Sequence, residues 1–398
     1  MLVILGGCGR SDTLEYRPIP VQAVELVRSE APAWSSLITD LDADGVNELL
    51  LAGHRGTHRP GFCRLEGNNQ CLWQPLLEPG KDRHHCTAGD IDADGDSDLY
   101  CTAGAERGLG FGANEVWRQT DPMVFEIVPD AIGAKEESSR GRLAAFFDFN
   151  HDAWLDLVTT AWGTRTDEKD NQSKLWINVA GVFKVFDMRL PDAFGARCLS
   201  THDVDGDGFV DLLGCPATTG LTLLRNVRAS TLEVVAIGDA REWYWDIQFI
   251  PSASNEPGQI VSSGGVREAM FIEIAKLSSS LDVERRKRIS CWQATVDDDR
   301  DVYCGRLLLH DANEDGYTDI LVSRRKGFRH ENMLGDAPDL VIFGPSFESF
   351  TDLPTTTFGA SESLFAVESG IVQINAGKDW PGSVRLLQFL PPTQAAGL

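Results

Sequence analysis

The sequence predicts an all-β protein: a β-propeller of four-stranded blades, seven by the best count with six or eight as alternatives, carrying calcium-binding loops between the first and second strands of several blades. Two observations predict it. An acidic nonamer recurs at near-constant intervals, and every copy is flanked by short apolar stretches with no sustained helical periodicity. The copies open at Asp40 (DLDADGVNE), Asp90 (DIDADGDSD), Asp148 (DFNHDAWLD), Asp203 (DVDGDGFVD) and Asp311 (DANEDGYTD). Successive spacings are 50, 58, 55 and 108 residues, the last about twice the others. A degenerate copy is therefore expected near residue 250, where WDIQFIPSASNEPGQIVSSGG keeps the flanking pattern without the acids. The tail LFAVESGIVQINAGKDWPGSVRLLQFL leaves room for a seventh unit.

Each unit has the same grammar. An apolar stretch such as SSLIT or RLAAFF precedes the acidic loop, and a second, such as ELLLAG, DLYCTAG, LDLVTTAWG, DLLGCPA or DILVS, follows it. A polar loop comes next, then two strands joined by a turn, as in NEVWRQ with VFEIV and KLWINV with VFKVF. No such unit can bury both of its faces alone, so radial packing is the expected solution. The early stretch VQAVELV is expected to complete the last blade and close the ring.

The loops gather carboxylates that should repel one another, and a hard dication is the natural relief. Counted from the first Asp, positions 1, 3, 5 and 9 carry Asp, Asn or Glu, and position 7 offers its carbonyl. The candidate ligands are Asp40, Asp42, Asp44, Val46 and Glu48; Asp90, Asp92, Asp94, Asp96 and Asp98; Asp148, Asn150, Asp152, Trp154 and Asp156; Asp203, Asp205, Asp207, Phe209 and Asp211; and Asp311, Asn313, Asp315, Tyr317 and Asp319. An all-oxygen cage suits Ca²⁺, whereas Mg²⁺ demands a stricter octahedron. Glycine at position 6 (Gly45, Gly95, Gly208, Gly316) allows the sharp turn, and Ala153 in its place suggests weaker binding in the Asp148 loop. An EF-hand is excluded, because it needs Glu at position 12 and flanking helices. The five loops hold twenty carboxylates, so five Ca²⁺ would bring the net charge of the 398-residue chain from −24 to −14.

That charge argues against nucleic acid as a partner. With 42% hydrophobic residues there is ample material for a core, and no apolar run is long enough to span a membrane. Nine cysteines include four close pairs, Cys63/Cys71, Cys86/Cys101, Cys198/Cys215 and Cys291/Cys304, which read as disulfides made in an oxidising compartment. The ninth, Cys8, ends an apolar start, MLVILGGC, that resembles a bacterial lipoprotein cleavage box with too short a hydrophobic stretch for a complete signal peptide. The expected organisation is a truncated signal or lipoprotein segment over residues 1–15 and one propeller domain over 20–398, in a bacterial protein that is secreted, periplasmic or anchored at the outer surface.

The DxDxDGxxDL-type loops and endings such as NEVWRQTDPMVFEIVPDAIGA resemble FG-GAP/VCBS-type repeats, including those of the integrin α-subunit propeller, over most of residues 35 to 345. The resemblance implies a ring of blades and Ca²⁺ in the loop joining the first two strands, while the FG and GAP dipeptides themselves are poorly kept. It says little about ligand.

In a propeller, successive loops alternate faces, so the ligand face is expected opposite the acidic rim. Loops such as HRGTHRPG, GAERGLGFGAN, WGTRTDEKDNQ, SGGVREAM and RRKGFRHEN are comparatively rich in Arg and His. Arg55, Arg59, Arg324, Arg325 and Arg329 are the candidates for an acidic protein surface or a uronate-bearing glycan. The cluster REWYWD (Arg241 to Asp246) reads as core packing before it reads as a sugar-stacking shelf. The primary expectation is a calcium-stabilised module that binds protein or carbohydrate. The alternative is a propeller-type polysaccharide lyase using His54, His58 or His330 with the arginines.

Overall fold

A computed structural model describes residues 14–18, 21–29, 36–51, 60–65, 74–77, 81–104, 112–128, 132–137, 139–163, 172–217, 220–252, 258–266, 269–291, 302–326, 339–353, 361–367, 370–375 and 382–389. Two strands, β1 (Glu15–Tyr16) and β2 (Val21–Ser29), precede the first blade. Blade 1 holds β3 (Ser36–Thr39), β4 (Glu48–Leu51), β5 (Gly61–Arg64) and β6 (Gln74–Pro75); blade 2 holds β7 (Arg83–Gly89), β8 (Asp98–Ala103), β9 (Glu115–Asp121) and β10 (Val124–Ile127). Blade 3 holds β11 (Gly141–Phe147), β12 (Asp156–Ala161), β13 (Lys174–Val179) and β14 (Val182–Val185); blade 4 holds β15 (Cys198–His202), β16 (Asp211–Cys215), β17 (Thr222–Val227) and β18 (Thr231–Ala236). Blade 5 holds β19 (Trp243–Ile250), β20 (Gln259–Val266), β21 (Ala269–Leu277) and β22 (Val283–Ser290). Blade 6 holds β23 (Val302–His310), β24 (Asp319–Lys326), β25 (Leu340–Phe343) and β26 (Ser349–Asp352), and blade 7 holds β27 (Ser361–Val367), β28 (Gly370–Asn375) and β29 (Gly382–Phe389).

These are seven antiparallel sheets, and the described residues contain no α-helix and none long and apolar enough to cross a membrane. The degenerate unit near residue 250 forms blade 5, and the tail forms blade 7. The stretch VQAVELV, within β2, is the fourth strand of blade 7, paired antiparallel with β29 from Val21 opposite Phe389 to Ser29 opposite Gly382. Chain start and chain end thus share one sheet, which closes the ring. β1 adds in parallel to the outer edge of blade 6, on β26, and covers backbone groups that would otherwise be left open there.

The core lies between blades. The second strands β4, β8, β12 and β16 are buried along their whole length, which is why they read as continuous apolar runs. Ile91, Tyr100 and Val116 of blade 2 pack with Ala144, Leu157 and Trp176 of blade 3, and the same arrangement recurs at other blade boundaries. A fully buried Leu such as Leu157 contributes roughly 2 kcal/mol. The fourth strands face solvent and expose Val124, Ile127, Val182, Val185 and Val234.

Three expected disulfides are present. Cys86–Cys101 and Cys198–Cys215 cross the first and second strands of blades 2 and 4 at directly opposed positions, and Cys291–Cys304 ties blade 5 to blade 6. Cys63 is also disulfide-bonded, while Cys71 lies outside the described residues. With sequence separations of 13 to 17, each bridge constrains the unfolded chain by on the order of 3 kcal/mol.

Candidate functional site

All five acidic loops join first to second strands, β3–β4, β7–β8, β11–β12, β15–β16 and β23–β24, and so lie on one rim of the ring. They share one fold. The position-1 carboxylate accepts from the backbone N–H groups of positions 5 and 6 at 2.8 to 3.2 Å in every copy. The N–H of position 7 (Val46, Asp96, Trp154, Phe209, Tyr317) donates to the position-5 carboxylate at 2.9 to 3.0 Å. Two residues per loop turn left-handed: position 4 (Ala43, Ala93, His151, Gly206, Glu314) and position 6 (Gly45, Gly95, Ala153, Gly208, Gly316). Ala153 therefore adopts the glycine geometry, with φ 68°, and the Asp148 loop keeps the shape of the others at the expense of local strain.

Position 9 is a buried anchor. Glu48, Asp98, Asp156, Asp211 and Asp319 are fully buried. Each accepts from the N–H of position 2 at 2.9 to 3.0 Å. Asp98, Asp156, Asp211 and Asp319 also accept from Gln119, Asn178, Asn226 and Gly344 N–H at 2.8 to 2.9 Å. Burial pushes these carboxyls up, Glu48 and Asp211 to about 7 and Asp98, Asp156 and Asp319 to about 6, with the backbone donors pulling the other way and neighbouring aspartates adding to the rise. Their folded values lie above their unfolded ones. Without a bound cation, the stability they contribute is greatest below the ordinary carboxylate value of about 4 and falls as pH rises toward neutrality.

The third strands supply two kinds of partner that sequence reasoning missed. The side-chain amides of Gln119, Asn178 and Asn226 each reach back to the preceding blade, donating to the position-2 carbonyls of Leu41, Ile91 and Phe149 at 2.7 to 2.9 Å. The same residues hold their own position-9 carboxylate through the backbone, so successive acidic loops are linked blade to blade. The second kind is arginine. Arg64 faces Glu48 across β4 and β5 and also ion-pairs with Asp42 and Asp44. Arg118 contacts Asp92 at 2.9 Å, and Arg225 contacts Asp205 at 2.5 Å and Asp207 at 3.9 Å. In the two loops with Asn at position 3, the equivalent place, next to the residue opposite Leu157 or Ile320, is Ile177 or Phe343. There the amides of Asn150 and Asn313 donate to Asp152 and Asp315 at 3.0 Å.

The donor set fits a hard cation. Carboxylate oxygens of Asp40, Asp42 and Glu48, of Asp90, Asp92 and Asp94, and of Asp203, Asp205 and Asp211 converge within 4.8 Å in each group. Asp42 Oδ1, Glu48 Oε1 and Asp92 Oδ1 are buried with no hydrogen-bond partner. A buried, unsatisfied carboxylate oxygen is expensive, and a cation at the convergence point would satisfy it. In the degenerate loop of blade 5, residues 253–257 lie outside the described set.

The expected ligand arginines fare differently. Arg324 is corrected: it sits within β24 with its side chain fully buried, Nη2 2.5 Å from Asp352 Oδ1 and its N–H donating to Asp339. Strand β24 runs on to Lys326 and is buried on both faces from Asp319 through Arg324, so Arg324 lies inside the blade, where it serves as a structural ion pair and not as a surface contact. Arg325 belongs to the same strand, opposite Tyr303. Arg55, Arg59 and Arg329, and His54, His58 and His330, lie outside the described residues. The cluster REWYWD splits by strand alternation: Tyr244 is core, while Trp243 and Trp245 are half-buried.

No family model and no curated protein matches the sequence. Among solved structures, the chain is similar to BBS1N in crystals of its complex with ARL6DN. The crystal soaked with lead gives a TM-score of 0.55 at 11% identity, over 97% of this chain and 99% of that one. The crystal soaked with mercury gives 0.54 at 10% identity, again over 97% and 99%. At that identity the likeness shows the fold alone: this chain is a seven-bladed β-propeller.

Proposed function

We propose that the chain is a calcium-stabilised, disulfide-stapled propeller of an oxidising compartment, acting as a binding module for a protein or an acidic carbohydrate on the face opposite its acidic rim. The observation that carries the calcium reading is the set of buried oxygens of Asp42, Glu48 and Asp92 without a hydrogen-bond partner, inside loops of FG-GAP/VCBS-like sequence. In each loop the carboxylates or amide of positions 1, 3 and 5, with the position-9 acid behind them, would hold the ion. The ion would supply positive charge, and the chain's own hydrogen bonds already hold the loop in shape. The disulfides support the compartment. The protein complex formed by the structurally similar BBS1N supports binding as a role for such a ring. No observation among the described residues favours the lyase alternative.

Thermal unfolding tests the calcium reading. EDTA should lower the melting temperature by several degrees, Ca²⁺ should restore it, and Mg²⁺ should restore much less. A melting curve indifferent to EDTA and Ca²⁺ overturns it.

A further inference from the structure

The ends of the innermost strands opposite the acidic rim hold a cluster of opposite character. Trp162 follows β12, and its N–H donates to the Arg140 carbonyl at 3.0 Å. Three guanidinium groups gather on its indole: Arg142 at 4.7 Å, Arg197 at 5.6 Å and Arg140 at 5.9 Å from the ring centroid. Arg197, just before β15, also lies 5.4 Å from the Trp243 ring and 5.2 Å from the Trp245 ring, both on β19 of the next blade. Arg142 Nη1 is 2.8 Å from His84 Nδ1.

Cation–π contacts cover the faces of a guanidinium and leave its N–H donors, which lie in the plane, unsatisfied. That is the situation here. Arg142 Nε, Arg197 Nε and Arg197 Nη1 are buried without a hydrogen-bond partner, and among the described residues no carboxylate pairs with Arg197. Burial pulls Arg142 down to about 10, with Arg140 adding to the fall and Asp82 opposing it. A chain of net charge −24 has thus gathered three arginines on one indole at this end of blades 3 to 5, with Asp82 near Arg142 and, among the described residues, no carboxylate paired with Arg197. Such a grouping is stabilised by an anion that brings two acceptor oxygens in the guanidinium plane, which a carboxylate does. The unsatisfied donors lie below the surface, between half-buried indoles. The anion must therefore arrive on a slender stem, as a glutamate side chain does and a ring-borne uronate does not.

We propose that Arg142 and Arg197, framed by Trp162, Trp243 and Trp245, form a receptor for a carboxylate side chain on an acidic segment of a partner protein. This rests on the reading that the face opposite the acidic rim binds ligand, and it names the ligand's chemistry.

The test is calorimetric titration of the full chain, in calcium, with a terminally blocked hexaglutamate peptide, beside inorganic phosphate and oligogalacturonate. Saturable hexaglutamate binding is expected, weakened at least tenfold by Arg197→Gln and by Arg142→Gln and weakened less by Arg197→Lys, which keeps the charge but loses the planar fork. Arg197→Gln should leave the melting temperature unchanged or raise it, because it removes an unpaired buried charge; a purely structural cluster would melt lower. No saturable hexaglutamate binding, or equal binding by the Arg142→Gln/Arg197→Gln double variant, overturns the proposal. Binding of oligogalacturonate or phosphate with hexaglutamate silent also overturns it, and assigns the cluster to a glycan or to simple anions. Calcium-dependent melting, measured on the same samples, stands or falls separately.

Discussion

Two kinds of acidic loop stand on the same rim. The loops at Asp40, Asp90 and Asp203 carry Asp at position 3 and meet an arginine from the third strand of their own blade, Arg64, Arg118 or Arg225. The loops at Asp148 and Asp311 carry Asn at position 3 and have Ile177 or Phe343 at the position equivalent to the arginine. One extra carboxylate goes with one extra cation, and the backbone hydrogen bonds to the position-1, position-5 and position-9 carboxylates recur in both classes. The difference teaches that charge is balanced within each blade, and that any bound ion adds to a balance already partly struck by the protein. It also predicts unequal sites. In the arginine class a dication must share its oxygens with a guanidinium; in the asparagine class it finds one carboxylate fewer and, among the described residues, no ion-paired cation to compete with.

The largest expected effect tests what the two classes share. Asp211→Ala in the arginine class and Asp156→Ala in the asparagine class each strand two buried N–H donors, and each should lose about 2–5 kcal/mol in denaturant unfolding. Unequal losses would extend the class division to position 9. A smaller effect tests the division itself. Asn150→Asp gives the Asp148 loop a fourth carboxylate with Ile177 in the arginine's place, and in EDTA it should destabilise by about 1–2 kcal/mol. Adding Ile177→Arg should recover most of that, as a double-mutant cycle will show. In the opposite direction, Arg225→Gln should lose about 1 kcal/mol in EDTA yet bind Ca²⁺ more tightly by calorimetry, since a competing cation is gone. A fall in both stability and affinity would mean that Arg225 supports the ion and does not compete with it. Smallest of all, Ala153→Gly should raise stability by roughly 1 kcal/mol or less, because the left-handed φ that strains alanine suits glycine. It should also bring the Asp148 loop nearer to Gly45-type behaviour without touching its ligands.

Much of the rim was legible in the chain. The acids, their spacing and the position-6 glycines lie within nine residues, so their pattern survives without any tertiary information. The left-handed turn at position 4 was not legible, because Ala43, Ala93, His151, Gly206 and Glu314 share no side-chain chemistry. The arginine partners left a signal that alignment of the units could have found: Arg64, Arg118 and Arg225 occur only where position 3 is Asp. Arg324 misled because RRKGFRHEN looks like a polar loop, while its first residues continue a strand that is buried on both faces from Asp319 through Arg324. The Arg142–Arg197–Trp cluster had no local signature, since its members come from three blades and are separated by up to about a hundred residues.

The sequence by itself determined the repeat, the all-β class, the oxygen-rich loops and the short-range disulfide pairs, because each is encoded by residues close in the chain whose geometry depends on backbone period and turn chemistry. Only the tertiary structure decided the register by which β2 pairs with β29 to close blade 7, that Arg324 would be buried, and that arginines and tryptophans of blades 3 to 5 would meet at one end of the ring. Those outcomes depend on how blades pack side by side, a long-range relation set by ring closure and strand register that no single unit contains.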